Sequence, residues 1–431
     1  MTQPALESAP DGPPRRILLV DADAFFVAVA RQEDPDGAGK ATLLIVGGRP
    51  GSRGVVCSAS YECRAFGVKS AMPIRRALQL CPQAMCVPVP RGVCSTRSRE
   101  IRDVLTKFAP IVQASSIDEW YLDLGGTEAL YNHEPLEVTA HRIRSAVFAT
   151  TGLNVSIGGG TSRLVAKMAV ERAKPKPGSR ANGVRCVPPG TEIEFLADYK
   201  LADLPMVGPR FAQRLQDLGL LYIAEAQQWS EQELERRVGE RAGSWLHRRV
   251  RGIDESIVTS RDRQKQVSRE ETFGRDLHDE ASLEKQLLRL AVRVSNDLRK
   301  QGLAARTITV KLRDSDFKTR SARRTLSKPI ESEKAVARVS RGLMERLRGS
   351  RRVGVRLLGI ALSHFDEEVA APQQLAFFAA PVKPDDDPVE GEREKALTKA
   401  LDRIRGRYGS EAILPARLIE KSPDTGPRVE E

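Results

Sequence analysis

The chain has 431 residues, enough for about three domains at roughly 150 residues each. It is 40% hydrophobic with no apolar run of 18 residues, which excludes an expected membrane span, and its polar, Pro-rich start over residues 1–14 lacks the basic-then-apolar order of a secretion signal and reads as a disordered lead-in. Lys and Arg number 69 against 57 acidic residues, a net charge of +12 that suits a polyanionic partner.

In chain order, Ile17-Leu18-Leu19-Val20 is a short apolar run of the kind a buried strand needs, and Asp21-Ala22-Asp23 stands at its end. Residues 25–30 read as helical. Residues 41–46 form a second strand, followed by a Gly- and Arg-rich loop over 47–54. Another short strand begins at Val55, and residues 60–66 suit a helix. Residues 95–108 have the pattern of an amphipathic helix. Strands over 111–115 and 120–124 flank Ser116-Ile117-Asp118-Glu119, which falls at the hairpin between them. Residues 135–150 are helical, 153–157 form a strand closed by Gly158-Gly159-Gly160, and the helix over 162–173 is stopped by Pro175 and Pro177. Helices alternating with antiparallel hairpins predict an α+β layer rather than a doubly wound sheet.

Composition shifts after Pro188-Pro189-Gly190. Residues 201–254 read as a run of short helices, with Leu204-Pro205-Met206-Val207-Gly208-Pro209 between two of them. Residues 267–365 are mixed again, with helices over 283–301 and 332–347 and strands over 307–312 and 355–362. This stretch holds 23 Lys/Arg against 12 Asp/Glu, a net of +11, so nearly all the excess charge of the chain is concentrated here. Concentration favours a phosphate-tracking surface over dispersed solvated charge. The acidic, Pro-rich residues 381–394 read as a linker, and 398–407 as one last short helix. No internal repeat is present. The cysteines (Cys57, Cys63, Cys81, Cys86, Cys94, Cys186) contain no CxxC pair and match no His cluster, so reduced core thiols are expected rather than zinc.

The acids at the strand ends carry the functional argument. In-line phosphoryl transfer uses two divalent ions roughly 4 Å apart, which need several oxygen ligands on rigid elements. Asp21 and Asp23 follow one apolar run, and Asp118 and Glu119 lie at a turn between two others. Neighbouring strands would bring them to one edge. Taken singly, each reads as an ordinary turn acid, and carboxylates alone also fit a nuclease or phosphatase.

Three segments, VDADAFFVAVARQ, GVVCSASYECRAFGVKSAMP and SSIDEWYLDL, resemble the signature segments of the Y-family DNA polymerases, nearest to the bacterial DinB or DNA polymerase IV branch. SIGGGTSRLVAKMAVERAKP is similar to the segment that closes the palm, LPMVGP to the helix-hairpin-helix of the thumb, and VRLLGIALSHF to the last strand of the little finger. The resemblance spans residues 16–365. It implies a multidomain right-hand polymerase: palm over 15–46 and 93–188, fingers 47–92, thumb 189–258, a linker 259–266, little finger 267–365 and a tail 366–431. It further implies a low-fidelity, translesion, cytoplasmic and monomeric DNA-directed DNA polymerase, with primer–template DNA and a dNTP as substrates and two Mg²⁺ ions, or Mn²⁺, as cofactors.

The same resemblance implies roles residue by residue. Asp21 and Asp118 would share both ions, Glu119 would bind the ion nearer the primer terminus, and the Ala22 carbonyl would complete one coordination sphere; Asp23 would support the site. Phe26 would be the steric gate beneath the nucleotide sugar, with Phe25 either beside it or simply in the core. Tyr61, Arg64 and Lys174 would bind the triphosphate, as a phenol, a bidentate guanidinium and a point charge can; for Lys174 the plain alternative is a solvated charge at a helix end. Gly208 would let the thumb hairpin approach a DNA phosphate through a positive φ. Arg313, Lys318, Arg320, Arg323 and Arg324 are candidates for contact with the DNA backbone. In the tail, Gln374, Leu375, Phe377 and Phe378 are similar to a sliding-clamp peptide, with Gln as a hydrogen-bonding anchor and the apolar side chains for a pocket. Two other classes compete: a catalytically silent, DNA- and clamp-binding accessory protein of the ImuB type, and a metal-dependent nuclease.

Overall fold

The computed structural model describes residues 14–175, 181–260, 264–365, 390–409 and 412–418. Residues 1–13 of the expected lead-in 1–14, residues 261–263 of the linker, and the clamp-type peptide 374–378 lie outside the described residues. The chain divides into two units, residues 1–262 and 263–431.

The first unit runs β1 (Ile17–Ala22), α1 (Phe25–Glu33), β2 (Leu44–Gly47), β3 (Val56–Ala59), α2 (Tyr61–Ala65), α3 (Ile74–Leu80), β4 (Met85–Val87), α4 (Arg91–Leu105), β5 (Ile111–Ala114), β6 (Glu119–Asp123), α5 (Leu136–Thr151), β7 (Val155–Gly160), α6 (Arg163–Ala173) and β8 (Val184–Cys186). Five helices follow: α7 (Glu192–Ala197), α8 (Pro209–Asp217), α9 (Ile223–Gln227), α10 (Glu231–Val238) and α11 (Glu240–Val250). Strand β1 is central in a five-stranded sheet of order β5-β6-β1-β7-β8, antiparallel to both neighbours. Its unbroken apolar run follows from burial on both faces. Leu18 and Val20 pack with Ile101, Ile143 and Val147 of α4 and α5, while Ile17 and Leu19 pack with Ala166 and Val170 of α6. Strand β2, at the end of the expected palm segment, pairs instead with β3 and β4 in a separate small sheet.

The triple glycine corrects the reading of a strand closed at residue 157. Gly158, Gly159 and Gly160 lie inside β7. A Cβ on Gly158 would stand 2.2 Å from both the Ala166 carbonyl oxygen and the Val170 nitrogen, so glycine is what lets the α6 backbone lie directly on the strand. Gly158→Ala is expected to lower stability by about 3 kcal/mol, because main chain cannot yield as a side-chain tip can. Urea unfolding checks this, and an unchanged midpoint would contradict the close approach.

The second unit contains β9 (Gln266–Leu277), α12 (Glu280–Lys300), β10 (Ala305–Asp314), β11 (Thr319–Ile330), α13 (Glu333–Gly349), β12 (Val355–Phe365) and α14 (Glu392–Tyr408). Its antiparallel sheet has the order β11-β10-β12-β9. Ile308, Val310 and Leu312 of β10 and Leu358, Ile360 and Leu362 of β12 form one core with Leu283, Leu287 and Leu290 of α12 and Val336, Leu343 and Met344 of α13. Helix α14 starts earlier than the sequence suggests, inside the expected linker. Glu390 accepts from the Glu331 and Ser332 amides at 2.9 and 2.6 Å, and the Ser332 hydroxyl donates to Glu394 at 2.7 Å. Acids placed at the N-terminus of α13 are favoured by its unsatisfied amides and its dipole. Arg299 to Asp402 and Arg405 to Glu333 complete the attachment as bidentate pairs. Among the described residues all six cysteines are free, and no helix is long and apolar enough to cross a membrane.

Candidate active site

Strand register places the first two carboxylates. Asp21 and Glu119 are direct partners across β1 and β6, so both side chains leave the sheet on the face that α6 covers. Asp118 precedes β6 at the hairpin, and its carbonyl accepts from the Ala22 amide at 2.9 Å, which pins the hairpin to the end of β1. The Asp118 carboxylate accepts the Ser116 hydroxyl proton. Asp23, one turn further, accepts from Ser156 of β7 at 2.7 Å. The four acids therefore share one edge of the sheet. Among the described residues, no group of three or more His, Cys, Asp or Glu side chains is gathered closely enough to hold a metal ion as it stands.

The electrostatics are those of a site short of positive charge. Asp21 is 8% exposed. Burial drives its carboxyl up to about 7; the Lys174 ammonium pulls against that, and the neighbouring Glu119 adds to it. Burial also pushes Glu119 upward, but Lys167, together with a hydrogen bond from Asp21 and the charge of Lys174, holds the carboxyl below its ordinary value. Asp23 is raised by burial in spite of Ser156, Lys174, Arg144 and Arg64. Hard oxygen donors with unmet negative charge on fixed strand ends are the donor set a pair of Mg²⁺ or Mn²⁺ ions takes, so the residues fit the expected group. Asp21, Asp118 and Glu119 would hold the ions. Ala22, whose carbonyl is the expected further ligand, stands at the end of β1.

Helix α6 carries two lysines over this edge. Lys174, its C-cap residue, lies 3.0 Å from Asp21 and 2.8 Å from Glu171, and these acids keep its ammonium above the usual lysine range despite the opposing effect of burial. It is thus no solvated helix-end charge. Lys167, which sequence reasoning missed, donates to Glu119. The available signal was spacing: residues 167 and 174 are two turns apart on one helix face.

Phe25 and Phe26 diverge. Phe25 is 2% exposed within the core around β1, so its ring is closed off from any ligand, whereas Phe26 keeps an open edge and meets the Phe25 ring edge-on at 5.6 Å. Ala24, in the left-handed region at φ 45°, turns the chain from β1 into α1 between the acids and these rings. On α2, the Arg64 guanidinium lies 5.0 Å from the centre of the Tyr61 ring and is held by the Ala59 carbonyl at 3.0 Å. Burial and then Asp23 raise the Tyr61 phenol, with Arg64 and Lys174 opposing them, so all these groups are within electrostatic reach of one another. Gly208 departs from expectation. Its φ is −80° as the N-cap of α8, and the left-handed residue is Met206 at φ 74°. A Cβ on Gly208 would meet nothing within 4 Å, so the approach to it is open.

In the second unit, strand alternation sorts the candidate DNA contacts. Residues 309, 311 and 313 face away from the core, opposite Arg323, Ser321 and Thr319 of β11. Arg313 and Arg323 therefore stand on the open face, and Lys318 is exposed at the turn. Arg324 and Arg320 pair with Ile308 and Leu312 and so belong to the helix-facing side. Arg320 is committed to the buried Asp314 at 3.1 and 3.2 Å and to Ser350 at 2.9 Å, a structural role that a fully buried carboxylate demands.

Residues 20–171 match the impB/mucB/samB family, residues 264–377 its C-terminal domain, and residues 202–254 the thumb domain described for DNA polymerase iota. The chain is 35% identical over 403 residues to a DNA polymerase IV of Dehalococcoides mccartyi, covering 94% of this chain and 97% of that protein. It is 33% identical to a DNA polymerase IV of Caulobacter vibrioides, covering 94% of each. Among solved structures, a Y-family DNA polymerase chimera is similar at a TM-score of 0.71 and 25% identity, over 81% of this chain and 99% of that one. The insertion ternary complex of Dbh DNA polymerase is similar at 0.57, with the same identity and coverage.

Proposed function

The chain belongs to the impB/mucB/samB family of Y-family DNA polymerases, and from that premise we propose a template-directed polymerase of low fidelity that extends primers past damaged template bases. The observation that carries this reading is the opposition of Asp21 and Glu119 across β1 and β6, with Asp118 pinned beside them. Two divalent ions bound here would activate the primer 3′-hydroxyl and neutralise the triphosphate and departing pyrophosphate. The protein supplies the rest. Asp21, Asp118 and Glu119 would hold those ions, Tyr61, Arg64 and Lys174 would grip the triphosphate, and the Phe26 ring would fill the space a 2′-hydroxyl needs. In β3 the small side chain of Cys57 is exposed and leaves room for a distorted template base, while Ser58 and Ala59 are buried.

All three carboxylates and the three triphosphate ligands are present, which favours catalysis over a silent accessory protein. Extension opposite and beyond an abasic template site tests the reading. Full-length product supports it, a stop one base before the gap removes damage tolerance, and no addition on intact template removes the polymerase itself. A sliding clamp engaged through Gln374, Leu375, Phe377 and Phe378 belongs to the same proposal.

The open face of the β9–β12 sheet is assigned to the DNA backbone. Arg313→Ala and Arg323→Ala should each weaken DNA binding and reduce the slope of log affinity against log salt by about one, leaving kcat unchanged. Arg320→Ala should lower stability instead. Fluorescence anisotropy across a salt series checks this, and equal slopes in all three variants would contradict it.

A further inference from the structure

Helix α6 is held at a fixed height over the acidic edge, because Gly158 admits its backbone onto β7 and Ala166 and Val170 pack against Ile17 and Leu19. Its two lysines therefore project from a rigid base. Lys174 has a role in the reading above. Lys167 has none, yet its ammonium is directed inward to Glu119, with the two side chains only 28% and 21% exposed. A solvated surface lysine gains little from such a pairing and loses side-chain freedom. The pairing answers a local need, since Asp21, Asp23, Asp118 and Glu119 crowd one sheet edge and the neighbouring Lys174 is already engaged by Asp21 and Glu171.

We propose that Lys167 is a built-in counter-ion: it holds Glu119 while the primer-side ion is absent, and an entering divalent ion must displace its ammonium. The displacement makes ion entry costly until DNA and nucleotide add phosphate oxygens to the coordination. Ion loading is thereby tied to substrate. This rests on Glu119 being an ion ligand, and the experiment separates the two claims.

Mn²⁺ binding to the full-length protein, without DNA or nucleotide, is measured by electron paramagnetic resonance for wild type, Lys167→Met, Lys167→Arg and Glu119→Gln. Met keeps the length of the side chain and removes the charge. Lys167→Met should bind Mn²⁺ about tenfold more tightly, because an opposing charge within contact distance of the ligand is gone. Lys167→Arg should bind as wild type does. In EDTA the melting temperature of Lys167→Met should fall below that of wild type, and Mn²⁺ should restore it. If Lys167→Met binds Mn²⁺ no more tightly than wild type while Glu119→Gln binds it more weakly, the counter-ion proposal is overturned and the ligand assignment stands. If Glu119→Gln binds as wild type does, both are overturned. Intact DNA affinity of Lys167→Met serves as the folding control; its loss together with tight Mn²⁺ binding would still support the proposal.

Discussion

Replacing Asp21 with Asn is expected to reduce kcat for single-nucleotide addition by about 10³-fold while leaving primer–template affinity unchanged. The substitution preserves shape and removes the charge that stands between Glu119 and Lys174. Losing one carboxylate that would hold the ions would forfeit several kcal/mol of ion-mediated stabilisation, and about 4 kcal/mol corresponds to roughly 10³ in rate. Stability should hold or rise, because Asp21 is a buried acid whose carboxyl is already pushed up to about 7, and an amide escapes that penalty. Single-turnover kinetics and anisotropy on the same preparation separate the two effects. A variant that loses DNA binding as severely as rate would place Asp21 in the fold rather than in the chemistry.

Phe26→Ala carries the second large effect. The ring lies on α1 beside the acids with one edge open, and Phe25 packs against its other side. A rigid wall rejects a larger sugar by overlap, so removing it should relax discrimination between deoxy- and ribonucleotides by about 10²-fold. The change should appear chiefly as faster ribonucleotide addition. Phe25→Ala should instead lower stability by about 3 kcal/mol, as loss of a buried ring does, with sugar choice unaltered. Unchanged discrimination in Phe26→Ala would remove the gate assignment.

The legible part of this protein was the part written locally. The apolar run 17–20 ending in Asp21, and the turn acids between two strands, place the carboxylates at strand ends by periodicity, and β1, β5 and β6 form there; that the strands are neighbours comes from the sheet order. What remained hidden depends on partners distant in sequence. Lys167 looks like an ordinary helix charge until the register of β1 with β6 puts Glu119 beneath it. Gly158 reads as a strand stop because its function is a contact with α6, not a turn. The expected positive φ fell on Met206 rather than Gly208, since Pro209 opens α8 and Gly208 only has to cap it. Arg320 and Arg323 are equivalent by composition, and only the alternation of β11 against Asp314 assigns one to the core side and the other to the open face. The last helix was legible over 398–407, but its earlier start was not, because Glu390 and Glu394 answer the N-terminus of α13, about 60 residues away.

The most direct test of the central claim is primer extension by the purified protein on an undamaged primer–template, with Mg²⁺ and one deoxynucleotide at a time, beside Asp118→Ala. The account predicts addition dictated by the template base, and its disappearance in the variant with DNA binding retained. Untemplated addition, or equal extension by the variant, would contradict it.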